Sequence, residues 1–205
     1  MSTRVKLRTC AALVATVAVL GGASCSQTVR TGQSPAYLII EEIRGVSGAD
    51  DSLDDNVLSS DVQTIVDGVP TIFEDRGLVR FRLAMRDVSY AAGVPPTDNN
   101  AITVDRYRIT FRRTDGRNTP GVDVSWPFEG AGTVTVTDRA ELSFMLVRLQ
   151  AKMESPLLQL VESGGAIAIS TIADVTFFGR DQTGRDVSVT GSISVNFANW
   201  GDPDS

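Results

Sequence analysis

The chain has no histidine, and its only cysteines are Cys10 and Cys25. Histidine is the commonest general base near neutral pH and the commonest protein ligand for metals. Its absence excludes Ser-His-Asp and Cys-His catalysis and every zinc site that uses imidazole. The side chains that remain able to do chemistry are carboxylates, arginines and one cysteine near the start of the chain.

Cys25 follows a segment that has the order of a secretory signal peptide. Three positive charges open the chain, an uncharged apolar run fills residues 11–20, and small residues precede the cysteine. The apolar run is too short to remain in a bilayer as a spanning helix, which needs about 20 residues. We therefore predict that residues 1–24 are an export signal that is removed.

The residues Gly22-Ala23-Ser24-Cys25 resemble the lipobox of bacterial lipoproteins. In that family the cysteine thiol receives diacylglycerol, the signal is cleaved before it, and the new amine is usually acylated. The resemblance implies a lipid anchor on Cys25 and a flexible tether over residues 25–34. It also implies a place in the cell envelope, at the outer membrane, facing the periplasm or the surface. The alternative is ordinary cleavage, which would give a secreted or periplasmic protein.

The position of Cys25 supports acylation. It is the only cysteine left once residues 1–24 are removed. A lone exposed thiol in an oxidising compartment is a chemical liability, and acylation removes it. Two or three acyl chains would hold the protein on a membrane stably, whereas one chain would give only marginal binding.

The mature chain is also similar to small exported bacterial proteins of uncharacterised function. Three segments carry this similarity: residues 31–36, residues 99–104 and the tail from Thr176 to Asp202. The resemblance implies export and β structure, and it supplies no activity.

The mature chain is strongly acidic. Loss of Arg4, Lys6 and Arg8 with the signal lowers the basic residues from 19 to 16, against 25 acidic ones, so the formal charge becomes −9. Phosphate contacts need a positive field, so we expect no nucleic-acid partner. The charge favours solubility beside a membrane.

Four aspartates in residues 48–56 could supply hard oxygen ligands for calcium. Their spacing does not match an EF-hand loop, and no glutamate closes the set. We favour the alternative, which is a solvated loop between two strands, and we expect no other cofactor. The four aspartates are Asp50, Asp51, Asp54 and Asp55.

Arginines alternate with apolar residues along two predicted strands, residues 78–86 and 102–113. If these strands pair, their arginines form one basic patch that could dock lipid headgroups, an anionic cell-wall polymer or an acidic envelope protein. We favour the alternative, a solvated sheet face on which the arginines pair with acids of adjacent strands. The six arginines are Arg80, Arg82, Arg86, Arg106, Arg108 and Arg112.

Carboxylate pairs such as Glu41 with Glu42, or Asp174 with Asp181, have the residue types of glycoside hydrolases. Successive residues of a strand face opposite sides of its sheet, so Glu41 and Glu42 would not converge. A chain with 25 acidic residues contains such pairs by chance. We therefore predict no catalytic residue and no enzymatic activity.

Strand signals dominate after Pro35, and Asp115-Gly116 is a typical hairpin turn. A phase change in residues 102–113 predicts either a bulge or a switch between sheets near Asp105. The predicted strands outside the hairpins are residues 37–43, 61–66 and 78–86. The predicted hairpins pair residues 102–113 with 122–128, 133–137 with 142–150, and 166–178 with 186–197.

One short helix is predicted, with Ser155 as its cap and Pro156 at its first position, ending at Leu160. The alternative is one longer helix over residues 144–161 that Pro156 breaks.

These elements predict one all-β domain over residues 35–205. An antiparallel sandwich of the immunoglobulin-like kind, with Trp126 in its core, is favoured over an up-and-down barrel. Such a domain would be a non-catalytic module for binding or envelope assembly. The alternative is a structural subunit of a larger envelope complex, in which an open edge strand docks a partner.

Overall fold

A computed structural model of the chain describes residues 33–54, 56–86, 96–163 and 167–200. The predicted export signal, Cys25 and most of the predicted tether lie outside the described residues. The strands are β1 (Ala36–Val46), β2 (Leu53–Asp54), β3 (Val57–Asp61), β4 (Thr64–Val66), β5 (Val69–Thr71), β6 (Asp75–Met85), β7 (Ile102–Arg112), β8 (Phe128–Val136), β9 (Arg139–Val147), β10 (Ile169–Asp181) and β11 (Asp186–Ala198). The helices are α1 (Leu149–Lys152), α2 (Leu158–Val161) and a 3-10 turn over Asp98–Asn100.

Two sheets form a sandwich. Their strand orders are β2-β1-β6-β9 and β3-β11-β10-β7-β8, while β4 and β5 form a separate hairpin. The described strand pairs are antiparallel except β3 with β11, which is parallel. In the strand lettering of the immunoglobulin-like fold, β1, β6 and β9 correspond to A, B and E. In the other sheet β11, β10, β7 and β8 correspond to G, F, C and C′, and β3 lies beside G as a second segment of the first strand. The predicted sandwich is confirmed.

Alternation of side chains explains the strands that the sequence predicted best. In β6, Val79, Phe81 and Leu83 are buried, and the arginines between them face outward. Phe81 of one sheet meets Phe177 of the other edge to face, with ring centroids 5.0 Å apart. The predicted hairpin of β10 and β11 is also present, with thirteen residues in each strand.

The predicted bulge near Asp105 is confirmed. Opposite β10, Arg106 pairs with Phe178 and Val104 pairs with Gly179, so Asp105 is an extra residue. Because of the bulge, apolar side chains on both sides of it point into the core: Val104 before it and Tyr107 after it are both buried. Gly179 fits here because a Cβ would lie 2.3 Å from the Thr103 carbonyl oxygen.

Two predicted strand pairings are wrong. The partner of β7 is β8, because the chain before β8 folds on itself: Gly121 donates its N–H to the Val124 carbonyl, and the Asp123 carboxylate accepts the Thr119 N–H. Trp126, predicted to lie in the core, is 54% exposed. Residues 133–137 do not pair with 142–150, because β8 and β9 lie in different sheets.

The helical segment and the strand predicted over residues 61–66 also differ. Two short helices replace the predicted one, and α2 begins at Leu158, beyond Ser155 and Pro156. Leu157 and Leu160 are buried, so core packing sets the position of this turn. Residues 61–66 are divided between the end of β3 and β4.

The strand directions define two ends of the sandwich. The proximal end is where β1 begins at Ala36, and it includes the turns at residues 137–138 and 182–185. The distal end is where β1 ends at Val46. Its connecting segments, as far as they are described, are residues 47–54, 56, 62–74, 113–127, 148–163, 167–168 and 199–200.

Candidate functional site

Exposed apolar side chains are concentrated at the distal end. Every large apolar residue that is exposed in the described part of the chain lies in a segment of this end or in a short strand that reaches it. Single exposed apolar residues are ordinary, but a concentration on one surface is typical of an interaction site. The residues are Leu53, Val57, Ile65, Val66, Val69, Val122, Trp126, Leu149, Met153, Leu158, Ile167 and Trp200.

The hairpin of β4 and β5 is the most distinct part of this surface, because it belongs to neither sheet. Asp67 and Gly68 form its turn with φ of 51° and 75°, as a two-residue type I′ turn requires. Its strands expose Ile65, Val66 and Val69, the last by 60%. An isolated two-stranded hairpin is at best marginally stable in water, and the exposure of these three side chains adds little to its stability.

Asp61 connects the hairpin to the rest of the distal end. Its Oδ2 accepts the Thr64 hydroxyl at 2.9 Å, and its Oδ1 accepts the Trp200 backbone N–H at 3.1 Å. Its carbonyl oxygen accepts the Lys152 ammonium at 2.7 Å. One residue thus fixes the hairpin, the segment after β11 and helix α1 relative to one another.

A buried ion pair lies beneath this surface. The Nζ of Lys152 is 2.9 Å from Asp75 Oδ2, and each side chain is 1% exposed. Asp75 also accepts the Ser60 hydroxyl at 2.6 Å and the Gly48 N–H at 2.9 Å. A serine, an aspartate and a lysine therefore meet, but they are closed off from solvent and serve to hold α1 on the sandwich.

Sequence reasoning missed this pair, although a signal for it exists. Lys152 is the only lysine after residue 24, and the other basic residues of that part of the chain are arginines. The lysine ammonium is compact and lies at the end of a flexible side chain, so it fits a narrow site with single acceptor atoms. An arginine guanidinium is planar and needs several acceptors arranged in its plane.

The six predicted arginines do not form one patch. The three on and after β6 belong to one sheet and the three on β7 to the other, so the two rows face opposite sides of the sandwich. The Arg86 guanidinium donates to the Ser34 carbonyl, and Arg108 lies opposite Glu129. The remaining four form the ion pairs Arg80–Glu141 at 2.7 Å, Arg82–Glu41 at 3.0 Å, Arg106–Glu129 at 3.1 Å and Arg112–Asp174 at 2.6 Å.

The ion pair of Arg112 and Asp174 shifts the pKa of both residues. The hydrogen bond to Asp174 raises the pKa of the Arg112 guanidinium. Burial alone would raise the pKa of Asp174, but the bonds from Arg112 and Ser192 outweigh it and lower that pKa. Asp174 is therefore a charged acceptor and is not poised to donate a proton near neutral pH.

The acidic loop directs its carboxylates to separate partners. Asp50 accepts the Ser52 N–H, which lowers the pKa of Asp50, and Asp51 forms an ion pair with Arg76 at 2.6 Å. Asp54 accepts the Ser59 N–H at 3.1 Å, and Asp55 lies outside the described residues. The described residues contain no cluster of three or more acidic, cysteine or histidine side chains able to hold a metal.

A shallow groove of about 300 Å³ lies beside the bulge on the outer face of the second sheet. The Arg106 guanidinium covers the Phe178 ring at 4.5 Å, and Arg180 pairs with Asp186 at 3.1 Å. Because the cations are paired and the ring is covered, the groove offers no converging acid and base.

No known family model matches the chain, and no curated protein matches it. Within the described ranges, no helix has the length and apolar character needed to cross a membrane.

Proposed function

We propose that this protein is a lipid-anchored component of the bacterial cell envelope whose sandwich binds a partner protein and has no catalytic role. The binding surface is the distal end, including the hairpin of β4 and β5. One observation carries the proposal: the exposed large apolar residues of the described chain lie at the end opposite the one where the chain enters the sandwich.

The geometry of the proximal end supports this orientation. The backbone N–H of Arg86 donates to the Pro35 carbonyl, and its guanidinium donates to the Ser34 carbonyl, so the start of the domain is held firmly. A tether over residues 26–34 would reach up to about 30 Å at roughly 3.3 Å per residue. With the anchor at Cys25, the proximal end faces the membrane and the distal end faces away from it.

The charge of the protein favours a protein partner over a lipid surface. The mature chain carries a formal charge of −9, and Asp67 stands at the tip of the exposed hairpin. An anionic bilayer would repel such a surface, and a peripheral helix or loop that enters lipid usually carries lysine or arginine. The apolar core and polar rim of a protein interface fit the distal end better.

Photo-crosslinking in intact cells tests this proposal. A photoreactive amino acid is placed at Val69 or Met153 of the full chain, and Thr135 on the outer face of β8 serves as the control position. We expect a discrete adduct from both distal positions and none from Thr135. Adducts of equal yield from all three positions, or none from Val69 and Met153, would contradict the proposal.

A double variant distinguishes an effect on binding from an effect on folding. Replacing Ile65 and Val69 by threonine keeps the β propensity of the hairpin and removes much of its exposed apolar area. Because both side chains are exposed, the free energy of unfolding should change by less than about 0.5 kcal/mol. The adduct from Met153 should nevertheless be lost.

A further inference from the structure

Carboxylates without an ion pair are concentrated at the distal end. Seven acidic residues there form no ion pair with another described residue, whereas elsewhere in the described chain only Asp98 and Asp105 form none. Such a concentration gives one end of the molecule a negative field. The seven are Asp50, Asp54, Asp67, Glu74, Asp123, Glu154 and Glu162.

The basic residues of the distal end already have partners within the chain. Three arginines form ion pairs with acids, one stacks on a phenylalanine ring, and the single lysine is buried. The seven carboxylates can therefore gain a cation only from outside the described chain. The existing contacts are Arg76–Asp51 at 2.6 Å, Arg113–Asp115 at 2.6 Å, Arg117–Asp115 at 2.9 Å, Arg148–Phe128 at 4.4 Å and Lys152–Asp75 at 2.9 Å.

Four of the seven carboxylates belong to residues that directly follow an exposed apolar residue. A partner that covers these apolar side chains must also approach the carboxylates. Covering a carboxylate without supplying a cation or a hydrogen-bond donor is costly, so a purely apolar partner surface is penalised. The four neighbouring pairs are Leu53-Asp54, Val66-Asp67, Val122-Asp123 and Met153-Glu154.

Trp126 is a second feature of this end that suits a cation. Its indole is 54% exposed and lies against Gly121, where an added Cβ would be 2.6 Å from Nε1. The loop that carries it is fixed by bonds from the Gly121 N–H to the Val124 carbonyl and from the Thr119 N–H to the Asp123 carboxylate. Tryptophan is the best ring for a lysine or arginine cation, and the arginine–ring contacts of the described chain involve other rings.

We propose that the distal end binds a basic segment of its partner protein, in which lysine or arginine side chains are spaced among apolar ones. This inference rests on the proposed binding role of the distal end and specifies the chemistry of the partner. The apolar side chains of the segment cover the exposed apolar residues, its cations pair with the seven carboxylates, and one cation lies over the Trp126 indole. Complementary charge raises the association rate and discriminates against neutral or acidic partners.

A second copy of this chain does not supply such a segment. Two distal ends joined about a two-fold axis would place like charges against one another. The strands of each sheet carry as many acids as arginines between the two ends, so neither face offers an excess of cations to another copy. These residues are Glu41, Glu42 and Glu141 with Arg44, Arg80 and Arg82 on the first sheet, and Asp105, Glu129 and Asp174 with Arg106, Arg108 and Arg112 on the second.

Tryptophan fluorescence reports binding at this end, because Trp126 and Trp200 are the only tryptophans of the sequence and both are exposed there. The full chain is used as Cys25→Ser, so that no detergent competes for the probes. The probes are three short synthetic peptides without aromatic residues. They share the same leucines at helical spacing and carry lysine, glutamine or glutamate at the remaining positions.

We expect the lysine peptide to shift the tryptophan emission to shorter wavelength as it covers the indoles, and to bind more weakly as salt is added. The glutamine and glutamate peptides should bind less tightly, in that order. Three results overturn the proposal: no binding of the lysine peptide, equal binding of the lysine and glutamine peptides, or binding in calorimetry that leaves the emission unchanged. A concentration-dependent dimer in sedimentation that shifts the emission also overturns it, because a second copy then covers the distal end.

Two double variants with the same change in charge locate the effect. Asp67→Asn with Glu154→Gln removes two distal carboxylates, and Asp98→Asn with Asp105→Asn removes two unpaired carboxylates outside the distal end. The distal variant should weaken binding of the lysine peptide about tenfold, and the control variant less than about twofold. Equal losses would mean that the peptide is attracted by the total charge of the protein, and this result overturns the proposal.

The crosslink from Val69 in intact cells separates this inference from the proposed function. We expect the distal double variant to reduce the Val69 adduct and the control variant to leave it unchanged. Mass spectrometry should place the adduct in a partner segment that contains lysine or arginine. An adduct of unchanged yield in a segment without basic residues overturns this inference alone, whereas the absence of any adduct contradicts the proposed function itself.

Discussion

Lys152 and Asp75 meet in the distal half of the sandwich with almost no contact with water. Removing two charges from solvent costs several kcal/mol per ion, and the cost is offset only where hydrogen bonds satisfy both groups. Here Lys152 has the Asp75 carboxylate and the Asp61 carbonyl, and Asp75 has two further donors in Ser60 and Gly48. The pair itself adds little net stability, but the loss of one member leaves the other as a buried charge without its partner.

Lys152→Met should therefore lower the free energy of unfolding by about 3–5 kcal/mol, measured by guanidinium denaturation. Arg180→Ala is the matched control, because Arg180 pairs with Asp186 on the surface, and it should cost less than about 1 kcal/mol. Adding Asp75→Asn to Lys152→Met should recover part of the loss, since no charge is then buried. A loss below about 1 kcal/mol for Lys152→Met would contradict this account.

Asp115 gives a pH-dependent prediction in the turn after β7. A hydrogen bond from the Arg113 guanidinium, together with the Arg117 backbone N–H, lowers the pKa of Asp115 to about 2. Because the folded pKa lies below the unfolded one, the stabilisation is present above about pH 3.9 and is lost as the pH falls through about 2.

The carboxyl carbon of Asp115 should accordingly titrate near pH 2 in an NMR series. Arg113→Gln should move the midpoint up toward about 3.9, whereas Arg112→Gln, on the neighbouring residue, should leave it in place. An Asp115 midpoint near 3.9 in the unaltered protein would show that the turn does not hold the carboxylate.

At the scale of the elements, alternation of apolar and polar residues predicted β6, β7, β10 and β11 and even the bulge at Asp105. It failed where the partner of a strand had to be chosen. Val122, Val124 and Trp126 alternate as a strand does, but the Asp123 side chain and Gly121 turn the chain back before β8. The alternation of apolar and polar residues predicts which face of a strand is buried. It does not predict which sheet the strand joins.

Substitutions at two glycines near the bulge test whether glycine is required there by close packing or only for backbone flexibility. Gly179→Ala should lower the free energy of unfolding by about 1–3 kcal/mol, because the new Cβ would meet the Thr103 backbone. Gly132→Ala on β8 should be neutral or slightly stabilising, since its Cβ would lie 3.4 Å from Leu142 and the unfolded chain would lose freedom. Thermal denaturation of both variants compares them directly.

Equal effects of the two substitutions would contradict the role given to Gly179. A loss in both would indicate that any side chain disturbs these strands, and a loss in neither would indicate that β7 can shift away from the new atom. Hydrogen exchange at Asp105 and Arg106 would then report whether the bulge persists.

The distal surface illustrates why the site was harder to predict than the fold. Its apolar residues come from the hairpin, the loop after β7, both helices and the segment after β11, so no single stretch of sequence contains it. Each residue read alone is an ordinary apolar position in a strand or helix. Only the strand order, which depends on long-range pairing, brings these segments to one end.

At the scale of the whole molecule, the sandwich is asymmetric along its strands. The chain enters at the proximal end, whose described turns are polar, and the exposed large apolar side chains lie at the distal end. A protein held by its N-terminus gains an orientation, because every copy then presents the same surface away from the membrane.

If the protein is anchored as proposed, this orientation depends on Cys25, which leads to a prediction for the whole chain. Cys25→Ser should move the protein from the membrane fraction to the soluble fraction and abolish the acyl mass on its N-terminus, whereas Cys10→Ser, within the predicted export signal, should change neither. Gly22 stands where the lipoprotein family usually carries an aliphatic residue, so Gly22→Leu should raise the processed share. The readouts are fractionation and mass spectrometry of the mature N-terminus. An N-terminus that begins at Ser24, or at Cys25 without acyl groups, would leave the sandwich free of the membrane, and its distal surface would then have to find its partner by diffusion.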